Sequence, residues 1–103
     1  NSIMLPHALA YNLEAATPAL VLLAQAMDCP MTGSDLDIAA SGIEAVRALQ
    51  RDAKVPTRLR DTKMDRSLLP AIAEDTLKDR GVYFNPRRTE SSAPILELLE
   101  NAW

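Results

Sequence analysis

The apolar positions along this chain recur at helical spacing, and one stretch is apolar on every side. Thr17 to Met27 reads Thr-Pro-Ala-Leu-Val-Leu-Leu-Ala-Gln-Ala-Met, with Gln25 as its polar interior residue. A helix that is apolar all round is a buried one, and this one is too short for a bilayer, which takes about 20 apolar residues. Thr17 suits the helix cap and Pro18 the first turn. The pattern predicts a central helix that is the most buried in the domain.

Helical patterns bounded by capping residues, prolines and glycine cover most of the remaining chain. Pro6 is awkward in the first of these segments, because an interior proline removes a backbone hydrogen bond and kinks a helix. The sequence predicts an all-α domain of four longer helices plus one short helix, with no sheet. Besides Thr17–Met27, the predicted segments are Asn1–Ala16, a helix from a cap at Ser34 or Asp35 to about Ala53, a short helical turn at Pro56–Asp61, Asp65–Asp79 with ordered helix from near Leu69, and a last helix from a cap at Thr89 or Ser92 to Trp103.

Arg80–Arg88 is predicted to be a loop, and it contains two of the four aromatic residues. A segment that carries Val82, Tyr83 and Phe84 in succession is not expected to be solvated on all sides. The loop should therefore pack on the domain or face a partner surface.

Composition and charge exclude several classes of function. The net charge is −3 with basic residues spread along the chain, so no nucleic-acid-binding face is predicted. The single cysteine, Cys29, cannot form an internal disulfide, which favours a reducing, cytoplasmic setting. No secretory signal or membrane span is evident. The chain begins at Asn1 inside a helical pattern, and we expect it to be one domain of a longer protein.

The sequence offers no local arrangement of catalytic or metal-binding residues. His7 would need a second ligand at a spacing such as i+4, where Tyr11 stands instead, so a half-buried helix residue is the favoured interpretation. Cys29 has no cationic neighbour in sequence and is interpreted as an inert thiol. Three scattered glycines cannot form a phosphate-binding loop. We therefore predict no catalytic, cofactor-binding or metal-binding residue from these patterns.

Several short motifs, in order along the chain, resemble those of the iron-containing alcohol dehydrogenase family. Each is weak alone, but the co-linear set is specific. The motifs are Asn-Ser-Ile-Met-Leu-Pro-His-Ala-Leu-Ala-Tyr-Asn at residues 1–12, Val-Pro-Thr-Arg-Leu-Arg-Asp at 55–61, Leu-Pro-Ala-Ile-Ala at 69–73, Asn-Pro-Arg at 85–87, and Ala-Trp at 102–103.

The resemblance implies a two-domain enzyme that interconverts alcohols and aldehydes or ketones. Its N-terminal α/β domain would bind NAD(P), and its C-terminal helical domain, the part that this chain resembles, would hold Fe²⁺ or Zn²⁺. The family's metal ligands and dinucleotide motif map before Asn1, and His7 is not among them. The chain alone is therefore expected to be inactive. The resemblance also implies that Gly81, Val82 and Tyr83 line the substrate cleft.

The expected partners follow from the same resemblance. They are the missing N-terminal nucleotide-binding domain and a second copy of the chain, which would cover apolar surface at Ile3, Met4 and Val82–Phe84. The alternative is a free-standing helical interaction module with shared ancestry and no catalytic activity.

The chain departs from the family at three places where relatives often have glycine. These places hold Met27-Asp28, Lys54 and Thr62-Lys63. Glycine is favoured at helix ends because it tolerates the left-handed backbone conformation. A side chain at such a position costs on the order of 1 kcal/mol, so we expect local strain there.

Overall fold

The computed structural model describes all 103 residues, and every regular element in it is helical. This confirms the all-α prediction, with six α-helices in place of four longer helices and one short one. The α-helices are α1 (Leu5–Tyr11), α2 (Thr17–Ala26), α3 (Asp35–Asp52), α4 (Leu69–Leu77), α5 (Arg80–Tyr83) and α6 (Ser92–Asn101), with 3₁₀ helices at Leu59–Thr62 and Arg66–Leu68.

The helices form two pairs joined by α1. Helix α2 packs along α3, α4 packs along α6, and α1 touches both α3 and α6. The molecule measures 42 × 32 × 18 Å. Its shortest dimension is less than two helix diameters, since a helix with its side chains is about 10 Å across. The fold is therefore a thin slab, in which a helix packed on one neighbour keeps its opposite face in solvent.

The burial of α2 differs from the prediction. Leu20 and Ala24 are buried against α3, but Leu22 is 65% exposed. Helix α3 has six buried residues, so the prediction that Thr17–Met27 is the most buried helix is wrong. The physical reason is that α3 is the main neighbour of α2 within this thin slab, with Leu9 and Leu13 adding smaller contacts.

The first helix is shorter than the predicted Asn1–Ala16. It begins at Leu5, and Pro6 lies in its first turn, where a missing N–H costs no hydrogen bond. Pro6 therefore does not kink the chain, contrary to the expectation. Turns follow from Asn12 to Ala16 before α2 begins.

The helix caps agree with the sequence in one case and differ in two. Ser34 caps α3 in a capping box with Asp37, which confirms the first of the predicted alternatives. Thr17 is the first residue of α2 rather than its cap, and its hydroxyl donates to the Leu13 carbonyl at 2.8 Å. The cap position of α6 is Ser91, without a side-chain bond, rather than the predicted Thr89 or Ser92. The Ser92 hydroxyl donates to the Glu74 carboxylate.

The segment predicted as a loop at Arg80–Arg88 begins with a short helix. The Asp79 carboxylate caps α5 by accepting a hydrogen bond from the Gly81 N–H at 2.6 Å. An Asp cap of this kind compensates a free N–H at the start of a helix. The remainder, from Phe84 to Arg88, is not helical.

The three positions where relatives often have glycine contain left-handed residues, as expected. The φ angles are 57° at Asp28, 56° at Lys54 and 63° at Lys63. After α3, the Lys54 N–H bonds to the Arg51 carbonyl and the Val55 N–H to the Gln50 carbonyl. This is the Schellman arrangement, whose left-handed position is usually glycine.

Replacing Lys54 by glycine should raise the free energy of unfolding by about 0.5–1 kcal/mol. Removing the Cβ relieves about 1–2 kcal/mol of strain, and the greater freedom of glycine in the unfolded chain offsets part of this gain. Urea denaturation checks the value. Gly33, at φ 95°, is the reverse control, because Gly33→Ala should lower stability. A Lys54→Gly variant less stable than the parent would contradict the assignment of strain.

The core consists of two separate clusters. One joins the N-terminal segment to the second helix pair, and its members are Ile3, Leu59, Leu69, Ala73, Leu99 and Ala102. The other, Leu20 with Ala39 and Ile43, lies between α2 and α3. Ile3 is only 8% exposed and Met4 is half-buried, so the expectation that they form exposed surface is wrong. Both pack in the first cluster.

Candidate functional site

A cleft of about 460 Å³ lies where α1, α4, α5 and α6 meet. Apolar side chains of α4 and α6 form its floor, while α1 and the segment after α4 supply most of its polar groups. The floor includes Ile72, Ile95, Leu98 and Leu99, and the polar lining includes Asn1, Tyr11, Asn12, Asn85 and Thr89.

A pair of amide side chains closes the end of this cleft. Asn12, just after α1, donates to Asn85 at 2.9 Å, and Asn85 donates back to Asn12 at 2.8 Å. Asn85 also donates to the Arg87 carbonyl at 2.7 Å. The two bonds between Asn12 and Asn85 join residues 73 positions apart in sequence, and they hold the segment after α5 against the end of α1.

Arg87 and Thr89 also attach the segment after α5 to Tyr11 at the end of α1. The Arg87 guanidinium lies 4.0 Å from the centre of the Tyr11 ring, which is close enough for a cation–π interaction. The Tyr11 hydroxyl and the Thr89 hydroxyl are hydrogen-bonded at 2.7 Å. The Asn-Pro-Arg motif therefore fixes the position of the preceding helix α5.

The three residues predicted to line a substrate cleft occupy two neighbouring cavities. Gly81 and Val82 line the 460 Å³ cleft. Tyr83 lies in a second, adjoining cavity of about 490 Å³, which Val82 and Phe84 also line. Tyr83 is 86% and Phe84 74% exposed, and their rings stand edge to face with centroids 5.4 Å apart. The expectation of exposed apolar surface is confirmed at these two aromatic rings.

No group of three or more His, Cys, Asp or Glu side chains in the chain is placed to hold a metal ion. Cys29 is half-buried, and its thiol donates to the Ser41 carbonyl at 3.6 Å. His7 lies on α1 outside the cleft, beside Arg47 of α3.

The surroundings of His7 make folding stability depend on pH. Burial, and then the positive charge of Arg47, lower the pKa of His7 below its usual 6.5. The unfolded chain then binds the proton more readily than the folded chain. The contribution of His7 to the free energy of unfolding is therefore fully present above about pH 6.5–7. It is lost as the pH falls toward the lowered pKa of His7 in the folded state.

We expect urea denaturation to detect this loss between about pH 7 and pH 5, where ordinary carboxylates stay ionised. His7 is the only histidine in the chain, so His7→Gln should abolish most of the pH dependence in this range. Arg47→Gln should reduce it. An unchanged slope in His7→Gln would contradict the assignment.

Sequence reasoning missed the amide pair and the Tyr11–Thr89 bond. From the sequence, Tyr11 is the residue at i+4 from His7, and Asn85 is part of a motif. Their partners lie more than 70 residues away, and no local spacing predicts such pairs. The available signals are the family motifs at residues 1–12 and 85–87, which contain Tyr11, Asn12 and Asn85.

The chain is similar to known proteins over its whole length. The family model for the C-terminal part of Fe-containing alcohol dehydrogenases matches residues 1–103. The chain belongs to this family. The resemblance in the sequence motifs is thereby confirmed.

Three curated relatives show the range of enzymes to which the chain is similar. Lactaldehyde reductase of Escherichia coli K12 is 35% identical over 104 residues, covering 100% of the chain and 27% of the relative. The 1,3-propanediol dehydrogenase of Klebsiella pneumoniae is 37% identical over 89 residues, covering 85% and 23%. Maleylacetate reductase 1 of Cupriavidus pinatubonensis is 38% identical over 103 residues, covering 100% and 25%. The chain thus spans about a quarter of their length.

The fold is similar to that of a solved relative. A crystal structure of 1,3-propanediol oxidoreductase superposes with a TM-score of 0.94 at 34% identity, covering 100% of this chain and 27% of that one. No helix of the chain combines the length and the apolar content needed to cross a membrane.

Proposed function

We propose that this chain is the C-terminal helical domain of an NAD(P)- and metal-dependent alcohol dehydrogenase that interconverts alcohols and aldehydes or ketones. The observation that carries the proposal is the match of all 103 residues to the C-terminal family model, supported by the superposition on 1,3-propanediol oxidoreductase. NAD(P) and the Fe²⁺ or Zn²⁺ ion would be held mainly by residues outside this chain.

The contribution of the chain in this proposal is one wall of the catalytic cleft. Gly81 has no side chain and Val82 a short one, so this part of the wall leaves room for a substrate. Tyr83 stands exposed beside them, where the nucleotide-binding domain would approach. The Asn12–Asn85 pair and Arg87 support the proposal because they hold α5 against α1.

A chimaeric enzyme tests the proposal. The chain replaces the matched C-terminal segment of E. coli lactaldehyde reductase, and NADH consumption with lactaldehyde is measured. We expect activity above that of the reductase truncated at the same point. A soluble, folded chimaera without such activity would count against the proposal.

The reading frame upstream of Asn1 provides a second test, which does not depend on folding of the chimaera. We expect it to encode Pro-His-Gly directly before Asn1, followed further upstream by the nucleotide-binding domain. A stop codon or an unrelated domain there would favour the alternative of a free-standing interaction module.

We also propose that the exposed apolar surface of this chain is covered in the assembled protein. Leu22 on α2, together with Tyr83 and Phe84, places large apolar groups in solvent. Removing apolar surface from water contributes about 25 cal/mol per Å², so the isolated chain should associate with itself. Sedimentation at micromolar concentration checks this, with Tyr83→Ser combined with Phe84→Ser expected to weaken association. A monomeric parent chain would contradict it.

A further inference from the structure

A cavity with a positively charged lining lies between α1 and α3, outside the cleft. It has a volume of about 240 Å³ and is lined by Pro6, His7, Arg47, Gln50, Arg51 and Thr57. We call it the basic cavity. It shares no residue with the cleft, and no carboxylate lines it.

Two guanidinium groups face the basic cavity from one helix. Arg47 and Arg51 are four residues apart on α3, and residues at this spacing lie on the same helix face. Arg47 bonds to Glu44 through one nitrogen, and a guanidinium has five N–H donors in all, so most of its donors stay available. Arg51 forms no salt bridge in the chain.

The other lining residues of the basic cavity add neutral hydrogen-bond donors. One of them also fixes the chain before α1 on α3. His7 projects from α1, and its pKa is lowered by burial and by the positive charge of Arg47, which agrees with their closeness. The Thr57 hydroxyl lies on the segment that follows α3. The buried Gln50 amide donates to the Ser2 carbonyl, which fixes the chain before α1 on α3.

The volume and the donors together define the ligand. A cavity of this size holds roughly eight waters, which leaves room for a phosphate group with a small substituent. Guanidinium groups bind phosphate through paired N–H···O bonds, and hydroxyl and imidazole groups supply further hydrogen bonds. Monovalent chloride would use few of these directional donors.

We propose that the basic cavity binds a tetrahedral oxyanion, inorganic phosphate or a small phosphate ester, through Arg47 and Arg51 with Thr57 and His7 as further donors. This site is separate from the cleft, and it does not depend on the proposed dehydrogenase function.

Isothermal titration calorimetry of the full 103-residue chain tests the proposal. Inorganic phosphate and glycerol phosphate are titrated separately, with sodium chloride at equal ionic strength as the blank. We expect saturable binding of at least one of them, and a Kd about tenfold or more higher in Arg51→Gln. Comparison of the two probes tells whether the free ion or the ester is preferred.

Arg88→Gln is the matched control, because it removes the same charge outside the basic cavity. Arg88 is exposed and pairs with Glu90, and its substitution should leave the Kd unchanged. If Arg51→Gln does not fold, Arg51→Lys keeps the charge but loses the paired N–H geometry, and it too should weaken binding. The absence of saturable binding of both probes, or equal weakening by Arg51→Gln and Arg88→Gln, would overturn the proposal.

Discussion

Replacing Leu69 by alanine is expected to lower the free energy of unfolding by about 3–5 kcal/mol. Leu69 is 0% exposed and is the largest side chain in the protein that is fully buried. It packs in the first core cluster with Ile3, Leu59 and Leu99. Truncation loses the transfer free energy of the removed carbons and leaves a cavity that the neighbouring helices cannot close.

This loss is large compared with the stability of a domain, which is about 5–15 kcal/mol. The midpoint temperature of thermal unfolding should fall by about 4–8 °C for each kcal/mol of stability lost in a chain of this size. Circular dichroism during urea and thermal denaturation measures both quantities.

Leu68 provides a control from the neighbouring position. It is the same residue type but 50% exposed, so Leu68→Ala should change stability by no more than about 1 kcal/mol. Leu69→Met, which conserves volume, should cost less than about 1.5 kcal/mol. Equal losses for Leu68→Ala and Leu69→Ala would show that the first cluster is not the cooperative core.

Replacing Gly42 by leucine is expected to cost about 3 kcal/mol and to separate α2 from α3. A Cβ built on Gly42 would lie 3.1 Å from the backbone nitrogen of Ala24 and 3.2 Å from its Cα and Cβ. These atoms belong to helix backbone and a buried side chain, so they cannot rotate away. Overpacking a core costs about 1–3 kcal/mol. We expect leucine to lie at the upper end of this range, because it adds a whole branched side chain where glycine has none.

Gly42→Ala should have a smaller effect, because the gain of about 1 kcal/mol in helix propensity offsets part of the overpacking. Ala19→Leu is the matched control, since Ala19 faces solvent on α2. It should change stability by about 0.5 kcal/mol or less. Urea denaturation compares the three variants. A Gly42→Leu variant as stable as the parent would contradict the close packing of α2 on α3.

The thin shape of the folded chain explains several of these observations. The α2–α3 pair and the α4–α6 pair have separate core clusters, and the α2–α3 pair leaves apolar groups such as Leu22 and Leu49 in solvent. In the proposed enzyme, other parts of the protein would cover these groups. This explains why a sequence pattern typical of a buried helix occurs at Thr17–Met27, where the chain by itself supplies one main neighbour.

Features that depend on residues close together in the chain are predictable from the amino-acid sequence. Ser34, one of the two predicted caps, caps α3 because its partner Asp37 lies within one turn. Pro70 marks the start of α4 because proline suits the first turn of a helix. The helical fold class and the left-handed conformation of Lys54 also followed from local patterns and from family motifs.

Features that depend on residues distant in the chain become visible once the packing of the helices is known. The low burial of α2, the role of Gly42 against Ala24 and the Asn12–Asn85 pair all require knowing which elements meet. Periodicity shows that a helix face is apolar, but it does not show whether anything covers that face. The position of Gly81 and Val82 in a cleft has the same origin, because that cleft exists only where α1 meets α4, α5 and α6, which lie far from it in sequence.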